Sequence, residues 1–245
     1  MTLPPIVALE ETDSTNAEAR RRAEAGERGP LWITAKRQTA GRGRRGRAWE
    51  GGEGNLAATW LSLTGKPAGE AAQISFVAAL AVFDLAAAYV PAVLASLKWP
   101  NDLLIAGRKA AGILVESGPQ AGGGLWLAVG IGVNLAEAPV IAARPATAFA
   151  EHMRVPPPAP IDALGVLAEA FRRWLELWER SGFAPIAEAW TARAHGLGRR
   201  CTAQLPAEAV VGIAEGLDGD GALRLRTDAG EIRRITAGDV FFGEA

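Results

Sequence analysis

Between Lys36 and Trp49 lie six cations, Lys36, Arg37, Arg42, Arg44, Arg45 and Arg47, with no acidic residue to balance them. The whole chain of 245 residues carries a net charge of −1, so this is a local positive site, not part of a global field. Gly41, Gly43 and Gly46 are interleaved with the arginines, which lets the backbone bend sharply and approach a ligand closely. Arginine offers a planar fork that matches carboxylate and phosphate oxygens. The combination suits an anionic ligand, above all one that passes through a phosphorylated intermediate. A solvated basic loop or an RNA-binding tract would carry the same residue types.

A second segment, Lys98-Trp-Pro-Asn-Asp102, places a lysine at the end of a strand with Trp99 and Pro100 stiffening the chain behind it. A lysine on rigid support is a fixed point charge for a phosphoryl or carboxylate oxygen, unless Asp102 takes it as an ion pair. A third, Val129-Gly-Ile-Gly-Val-Asn134, sets two glycines in an apolar strand, the signature of close approach by a ligand, another backbone or tight strand packing. Asn134 can donate and accept there. The letters of residues 41–46 fit G-x-G-x-x-G, but a dinucleotide fold needs a helix to open at that point. Arg47-Ala-Trp-Glu-Gly-Gly-Glu-Gly54 does not start one. Gly65-Lys66 is followed by Pro67, so the G-x-x-x-x-G-K-[ST] phosphate loop is absent as well.

These segments need a scaffold. Strands are expected over residues 6–10, 31–35, 55–63, 96–99, 102–105, 110–116 and 125–133, and helices over 15–25, 70–89 and 162–181. Thr15 and Glu18 stand at capping-box spacing, with Gly26 at the helix end. Residues 36–54 read as a long polar loop. The stretch 74–97 is apolar enough to suggest a membrane span, but Asp84 and Pro91 interrupt it and a central Asp costs about 2.5–3.5 kcal/mol on insertion. A buried helix is the expectation, without membrane association. In the 162–181 helix, Leu164, Leu167, Phe171, Trp174, Leu175 and Trp178 share one face, with Glu169/Arg173 and Glu176/Arg180 pairs on the other. From about residue 198 short alternating segments (210–216, 222–227, 231–235) are separated by Asp218-Gly-Asp-Gly221 and Asp228-Ala-Gly230, the texture of a small all-β barrel. The fold class is α+β: a mixed-sheet domain over 1–197, then a small barrel over 198–245.

Composition excludes several classes. One cysteine, Cys201, rules out an internal disulfide framework and fits a reducing, cytoplasmic setting. His152 and His195 are far apart and give little material for a metal site or a Ser-His-Asp triad. No basic stretch precedes an apolar one at the start, so no signal peptide is expected.

In this order the segments resemble the biotin protein ligases. The matching stretches are Asp13-Ser-Thr-Asn16, Gln38-Thr-Ala-Gly-Arg-Gly-Arg-Arg-Gly-Arg-Ala-Trp49, Gly54-Asn-Leu56, Lys98-Trp-Pro-Asn-Asp102, Arg108-Lys-Ala-Ala-Gly-Ile-Leu-Val-Glu116 and Gly130-Ile-Gly-Val-Asn134. Residues 212–240 look like the family's SH3-like domain. The resemblance implies a catalytic domain of the biotin/lipoate ligase type and a two-step reaction: biotin and Mg·ATP give biotinyl-5′-AMP, from which a lysine of a biotin carboxyl carrier protein takes the biotin. It implies biotin binding by Ser14, Thr15, Asn16, Gln38, Gly41, Arg42, Gly43, Arg44, Lys98 and Gly112. It implies ATP or adenylate binding by Arg42, Arg44, Arg45, Arg47, Trp49, Lys98, Asn101, Lys109 and Asn134. Lys98 would bridge the biotin carboxylate and the α-phosphate, Arg44 would hold phosphate, and Mg2+ would come with the ATP.

Two features set this chain apart from common family patterns. Glu50-Gly-Gly-Glu53 stands where many members carry Ser-Pro, and the catalytic pattern begins too early for the helix-turn-helix of bifunctional members, so DNA binding is not expected. A homodimer is left open. The rival enzyme is a lipoate–protein ligase, which also makes an acyl-adenylate; residues 41–49 and 98–102 favour biotin. The rival from another class is an RNA-binding module, which lacks comparable basic density elsewhere in the chain.

Overall fold

The computed structural model describes residues 3–140 and 145–243. The first strands are β1 (Ile6–Thr12), β2 (Leu31–Gln38) and β3 (Leu56–Thr64). They join β4 (Ala95–Lys98), β5 (Asp102–Ile105), β6 (Arg108–Pro119) and β7 (Leu125–Val133) in one sheet of order β1-β2-β3-β7-β6-β5-β4. Only β1 and β2 run parallel; the other neighbours are antiparallel, which makes the expected mixed sheet. Helix α1 (Thr15–Glu24) covers one face and closes a small core of Ala19, Ala23, Leu31, Ile33, Leu61, Trp126 and Ala128. The other face packs on α3 (Ile74–Tyr89) and α4 (Pro160–Ser181), against which α5 (Ala184–Thr191) lies, with α2 (Ala68–Ala71) leading into α3. Strand alternation assigns the faces: Leu31 and Ile33 point to α1, and Trp32 between them meets Phe171 of α4 edge-on at 5.4 Å.

The apolar stretch is the core of this layer. Residues 68–89 are long and apolar enough to cross a membrane, yet Val77, Leu80, Ala81 and Leu85 are fully buried between sheet and helices. Asp84, which argued against insertion, accepts a bond from Trp174 Nε1 on α4 at 2.8 Å and one from Arg173 at 3.4 Å. The surface pairs on α4 differ from expectation. Arg172 lies between both acids and bonds Glu169 and Glu176 at 2.7 and 2.6 Å, because it is three residues from one and four from the other. Its start also moves back, to Pro160, where the fixed φ of proline suits the first helical position.

The C-terminal strands β8 (Arg200–Gln204), β9 (Ala209–Leu217), β10 (Leu223–Arg226), β11 (Ile232–Ile235) and β12 (Asp239–Phe241) form an antiparallel five-stranded sheet of order β11-β10-β9-β8-β12. The two turns read from the sequence fall at the β9–β10 and β10–β11 hairpins. This sheet is not a detached appendage. Cys201, Val210, Leu223 and Val240 belong to the same buried cluster as Phe76 and Trp190, and Trp99 Nε1 donates to the carbonyl of Gly221 at 3.1 Å.

Candidate active site

A cleft of about 130 Å3 opens at one end of the large sheet, between the β1–α1 turn, the ends of β6 and β7, and residues 42–50. Its polar wall is built from Ser14, Thr15 and Asn16, all at most 4% exposed. The capping box suggested by the spacing of Thr15 and Glu18 does not form. Ser14 occupies the N-cap position but its side chain makes no capping bond, and Glu18 turns to Arg21 and Arg22 instead of reaching back. Thr15 is committed elsewhere: its N–H and hydroxyl both donate to Gln38 Oε1, at 2.8 and 3.1 Å. Asn16 Nδ2 donates to the Leu114 carbonyl and to Glu116 at 3.1 and 2.8 Å, two pure acceptors that fix its amide orientation. Its Oδ1 then faces Thr59, whose fully buried hydroxyl is 2.7 Å away and supplies the proton.

The strand glycines make room for side chains. A Cβ on Gly130 would collide with the Asn16 amide, and one on Gly132 would fall inside the Trp49 indole. Gly112, opposite Gly132 across β6 and β7, would meet Trp49 and Lys109 at 3.1 Å. Thus β6 and β7 present a flat seat on which Trp49 lies, with the Lys109 ammonium 5.7 Å from its ring centroid. From sequence, Gly130 and Gly132 read as room for a ligand or another backbone, or as tight strand packing; what they admit in the structure is the side chains of Asn16 and Trp49.

Residues 41–49 form a closed loop, with Gly43 N–H donating to the Arg47 carbonyl at 2.7 Å and Trp49 N–H to that of Gly41 at 2.9 Å. Residues 44–46 make one 3-10 turn and then run extended into the approach to β3, so no helix follows the G-x-G-x-x-G letters. Arg42 pairs with Glu116 at 3.1 Å, and Arg44 Nη1 donates to Asn101 Oδ1 at the same distance. Arg44 is part-buried, and desolvation pulls its pKa below the ordinary arginine value, Asp239 and Asp102 offsetting only part of it. A part-buried guanidinium bonded to a neutral amide can still take an anion. Across the cleft Asn134 is 2% exposed; its Nδ2 donates to the Thr147 carbonyl at 3.1 Å, while its Oδ1 has no partner. A buried acceptor left unsatisfied next to a cleft calls for a donor from a ligand.

A second cavity, of about 300 Å3, adjoins the first and shares Arg47, Asn101 and Lys109 with it. Lys98, His195, Asp239 and Phe241 line it, with Lys98 Nζ 5.5 Å from the Phe241 ring centroid. Burial lowers the pKa of His195, and the charges of Lys98 and Arg199 lower it further, so the imidazole is neutral at pH 7.

Residues 9–134 match the Biotin/lipoate A/B protein ligase family, and residues 196–243 match the Biotin protein ligase C terminal domain. A biotin–[acetyl-CoA-carboxylase] ligase of Paracoccus denitrificans is 46% identical over 96% of this chain and 99% of its own length. The chain belongs to the biotin protein ligase family. The bifunctional ligase/repressor BirA of Escherichia coli is 31% identical, matched over 96% of this chain and 73% of its own length. Among solved structures, the biotin protein ligase from Aquifex aeolicus in complex with biotin and ATP superposes with a TM-score of 0.81 at 25% identity, covering 98% of this chain and 99% of that one.

For a biotin protein ligase, the residues singled out from sequence divide into three groups. Ser14, Thr15, Asn16, Gln38, Arg42, Gly43, Arg44, Arg47, Trp49, Asn101, Lys109, Gly112 and Asn134 all line the first cleft. Lys98 faces the second cavity, across the junction, and Asp102 pairs with Lys109 at 2.5 Å, not with Lys98. Gly41 and Arg45 line neither. A side chain on Gly41 would strike the Trp49 carbonyl, so this glycine closes the loop, and Arg45 turns to Asp239 at 3.5 Å. Sequence reading missed Thr59, Glu116 as a partner of the loop, and Asp239. Each acts through a residue at least 43 positions away, for which local pattern carries no signal.

Proposed function

We propose that the first cleft holds biotin and the adenosine of ATP side by side, and that the phosphates cross the junction with the second cavity. The reaction is that of a biotin–[acetyl-CoA-carboxylase] ligase. A biotin carboxylate oxygen bonds to the α-phosphorus as its bond to the bridging oxygen breaks, giving biotinyl-5′-AMP and pyrophosphate. The amine of a carrier-domain lysine then attacks the acyl carbon, and AMP leaves with loss of a proton. Neither step needs a nucleophile from the enzyme, so its contribution is positioning and charge stabilisation.

The observation that carries this reading is the pairing of walls: three consecutive buried polar side chains, Ser14, Thr15 and Asn16, facing an arginine loop across one cleft. The first wall and Gln38 suit the ureido ring of biotin, and Gly43 and Gly112 border it. Arg42 and Arg44 suit its carboxylate and the α-phosphate. Asn134, Trp49 and Asn101 suit the adenosine, and Arg47 and Lys109 the phosphates. Lys98, on the far side of the junction, reaches the α-phosphate and the biotin carboxylate from the second cavity. Among the described residues no group of three or more His, Cys, Asp or Glu side chains is arranged to hold a metal ion, and Mg2+ enters as part of the substrate Mg·ATP. Residues 1–197 form the catalytic unit and 198–245 the C-terminal unit. The lone thiol Cys201 fits a cytoplasmic setting.

Biotin-dependent exchange of labelled pyrophosphate into ATP tests the reading, with lipoate as the parallel substrate. Exchange with biotin and none with lipoate is expected; its absence with biotin refutes the assignment. Lys98→Ala should lower exchange by about 100-fold or more, the cost of removing one preorganised charge from a phosphoryl site, without lowering the melting temperature. Near-normal exchange in that variant would remove Lys98 from the mechanism.

A further inference from the structure

The second cavity sets a titratable side chain beside Lys98 that adenylate formation does not use. Residues 193–195 run alongside β4 as a short parallel partner. Ala194 pairs with Leu97, whose N–H donates to the Arg193 carbonyl at 2.8 Å and whose carbonyl accepts from the His195 N–H at 2.7 Å. Leu97 is fully buried, and Ala194 packs against the same core. Side chains alternate along an extended chain, so Lys98 and His195, each one residue further on, both turn the other way, to the cavity that they line.

The imidazole is held in place there. Its ring meets Phe242 edge-on, 5.3 Å between centroids, and Phe242 lies against Gly196, where a Cβ would fall inside the ring. Phe241, Phe242, Trp99, Pro100 and Leu104 give the cavity an apolar lining that suits the four-carbon stem of a lysine. Burial and two cations, Lys98 and Arg199, all oppose protonation of the imidazole. The other charged groups of the cavity are paired, Arg47 with Asp239 at 3.0 Å and Lys109 with Asp102 at 2.5 Å. Burial tends to raise the Asp239 pKa, but the Arg47 hydrogen bond and the charges of Arg47, Arg45 and Arg44 outweigh it, so this carboxylate stays charged near neutral pH. A neutral imidazole next to a fixed ammonium sets a proton acceptor beside a charge that can stabilise a developing oxyanion.

We propose that His195 is the proton acceptor of the second half-reaction, the transfer of biotin from biotinyl-5′-AMP to the carrier lysine. The proposal rests on the reading above that the adenylate forms at the junction of the two cavities. Once pyrophosphate has left, the second cavity is open to the carrier lysine. Its uncharged amine bonds to the acyl carbon, and the attacking nitrogen then carries a positive charge and an acidic proton. That proton passes to a ring nitrogen of His195. The bond from the acyl carbon to the phosphate oxygen breaks, AMP leaves with the electron pair, and the imidazolium releases its proton to water. Lys98 serves both steps as a charge, and His195 serves only the second.

The test compares full-length wild type, His195→Gln and His195→Ala in the two half-reactions. Biotin-dependent pyrophosphate exchange reads the first. For the second, enzyme loaded with biotin, ATP and pyrophosphatase is mixed rapidly with excess biotin carboxyl carrier domain, and biotinylation is followed over a single turnover. His195→Gln should slow transfer about 100-fold, the scale of a lost general base, while exchange falls no more than about threefold. Transfer by every protein gains rate with pH as the carrier lysine loses its own proton. Wild type should show an additional unit of slope in log rate against pH on the acid side of a pKa below the ordinary histidine value of about 6.5, and His195→Gln should lack it. Added imidazole should restore transfer by His195→Ala at least about tenfold, which a mere packing role against Phe242 does not predict. Transfer by His195→Gln within about threefold of wild type, equal losses in the two half-reactions, a shared pH profile or no rescue by imidazole would overturn the proposal. No exchange by the wild-type protein would refute the site assignment itself, and the proposal with it.

Discussion

Thr59 has one proton and two buried oxygens within reach, Asn16 Oδ1 at 2.7 Å and Thr15 Oγ1 at 2.8 Å. Asn16 Oδ1 can only accept, so the Thr59 proton orients Asn16, and Asn16 in turn holds Glu116. Thr59→Val keeps the shape and removes the donor, leaving a buried amide oxygen unpaired at a cost of about 1–3 kcal/mol. The KM for biotin should rise about tenfold, with little change in the KM for ATP, measured by pyrophosphate exchange; equal shifts for both substrates would contradict a biotin-side role. Cys201 gives a second residue-scale prediction. Burial pushes its thiol up to about 11, and only 3% of the residue is exposed. It should not react with a disulfide reagent at pH 8 until the protein is unfolded in denaturant, and fast labelling of the native protein would show that the β8 core opens.

At the scale of elements, β6 and β7 act as a platform. Opposed glycines at 112 and 132 remove the side chains that would otherwise keep Trp49 off the sheet. Gly132→Ala should displace the indole and weaken ATP binding about tenfold, with overpacking costing about 1–3 kcal/mol of stability. A titration of intrinsic tryptophan fluorescence with ATP checks the first effect and thermal melts the second; unchanged ATP affinity would detach Trp49 from the nucleotide. Helix α4 offers a contrast between its two faces. Leu164 is fully buried and its replacement by Ala should cost about 2–5 kcal/mol. Arg172 sits in a double ion pair on the solvent side, and Arg172→Ala should lower the melting temperature far less than Leu164→Ala. Comparable losses in the two melts would mean that the charged face is not simply solvated.

For the whole molecule, charge pairing sets the response to acid. Hydrogen bonds from Arg21, Ser14 and Thr12 hold the Asp13 carboxyl below the ordinary range, and the arginine loop does the same for Asp239. A carboxyl whose folded pKa is depressed contributes stability that is complete above its unfolded pKa and is lost as the pH falls through the folded one. The melting temperature should therefore hold between about pH 5 and 8 and decline from about pH 4 downward. Asp239→Asn should show a shallower decline over that acid range than wild type, and an identical slope would mean that its pairing adds nothing to the fold. The same carboxylate ties the C-terminal sheet to the arginine loop.

Much of this was legible in sequence because it is local. The short apolar segments of β1 to β7, the apolar period of α3 and α4, and the alternation and two glycine-bearing turns of the C-terminal strands depend on neighbours a few residues away. The arginine–glycine loop and the Lys98 segment could be picked out because their residue types are unusual wherever they fall. Strands β8 and β12 and helix α5 were not legible, since they are short and owe their form to partners distant in sequence: β12 exists by pairing with β8. The site divides the same way. The sequence by itself determined which groups are available to bind an acyl-adenylate, because charge, hydrogen-bonding capacity and backbone freedom belong to each residue type. Only the tertiary structure decided their assignments, placing Trp49 on the glycine seat, Lys98 on the second cavity, and Arg45 and Arg47 on Asp239. Those choices turn on distances between segments up to 194 residues apart, which are set when the sheets pack.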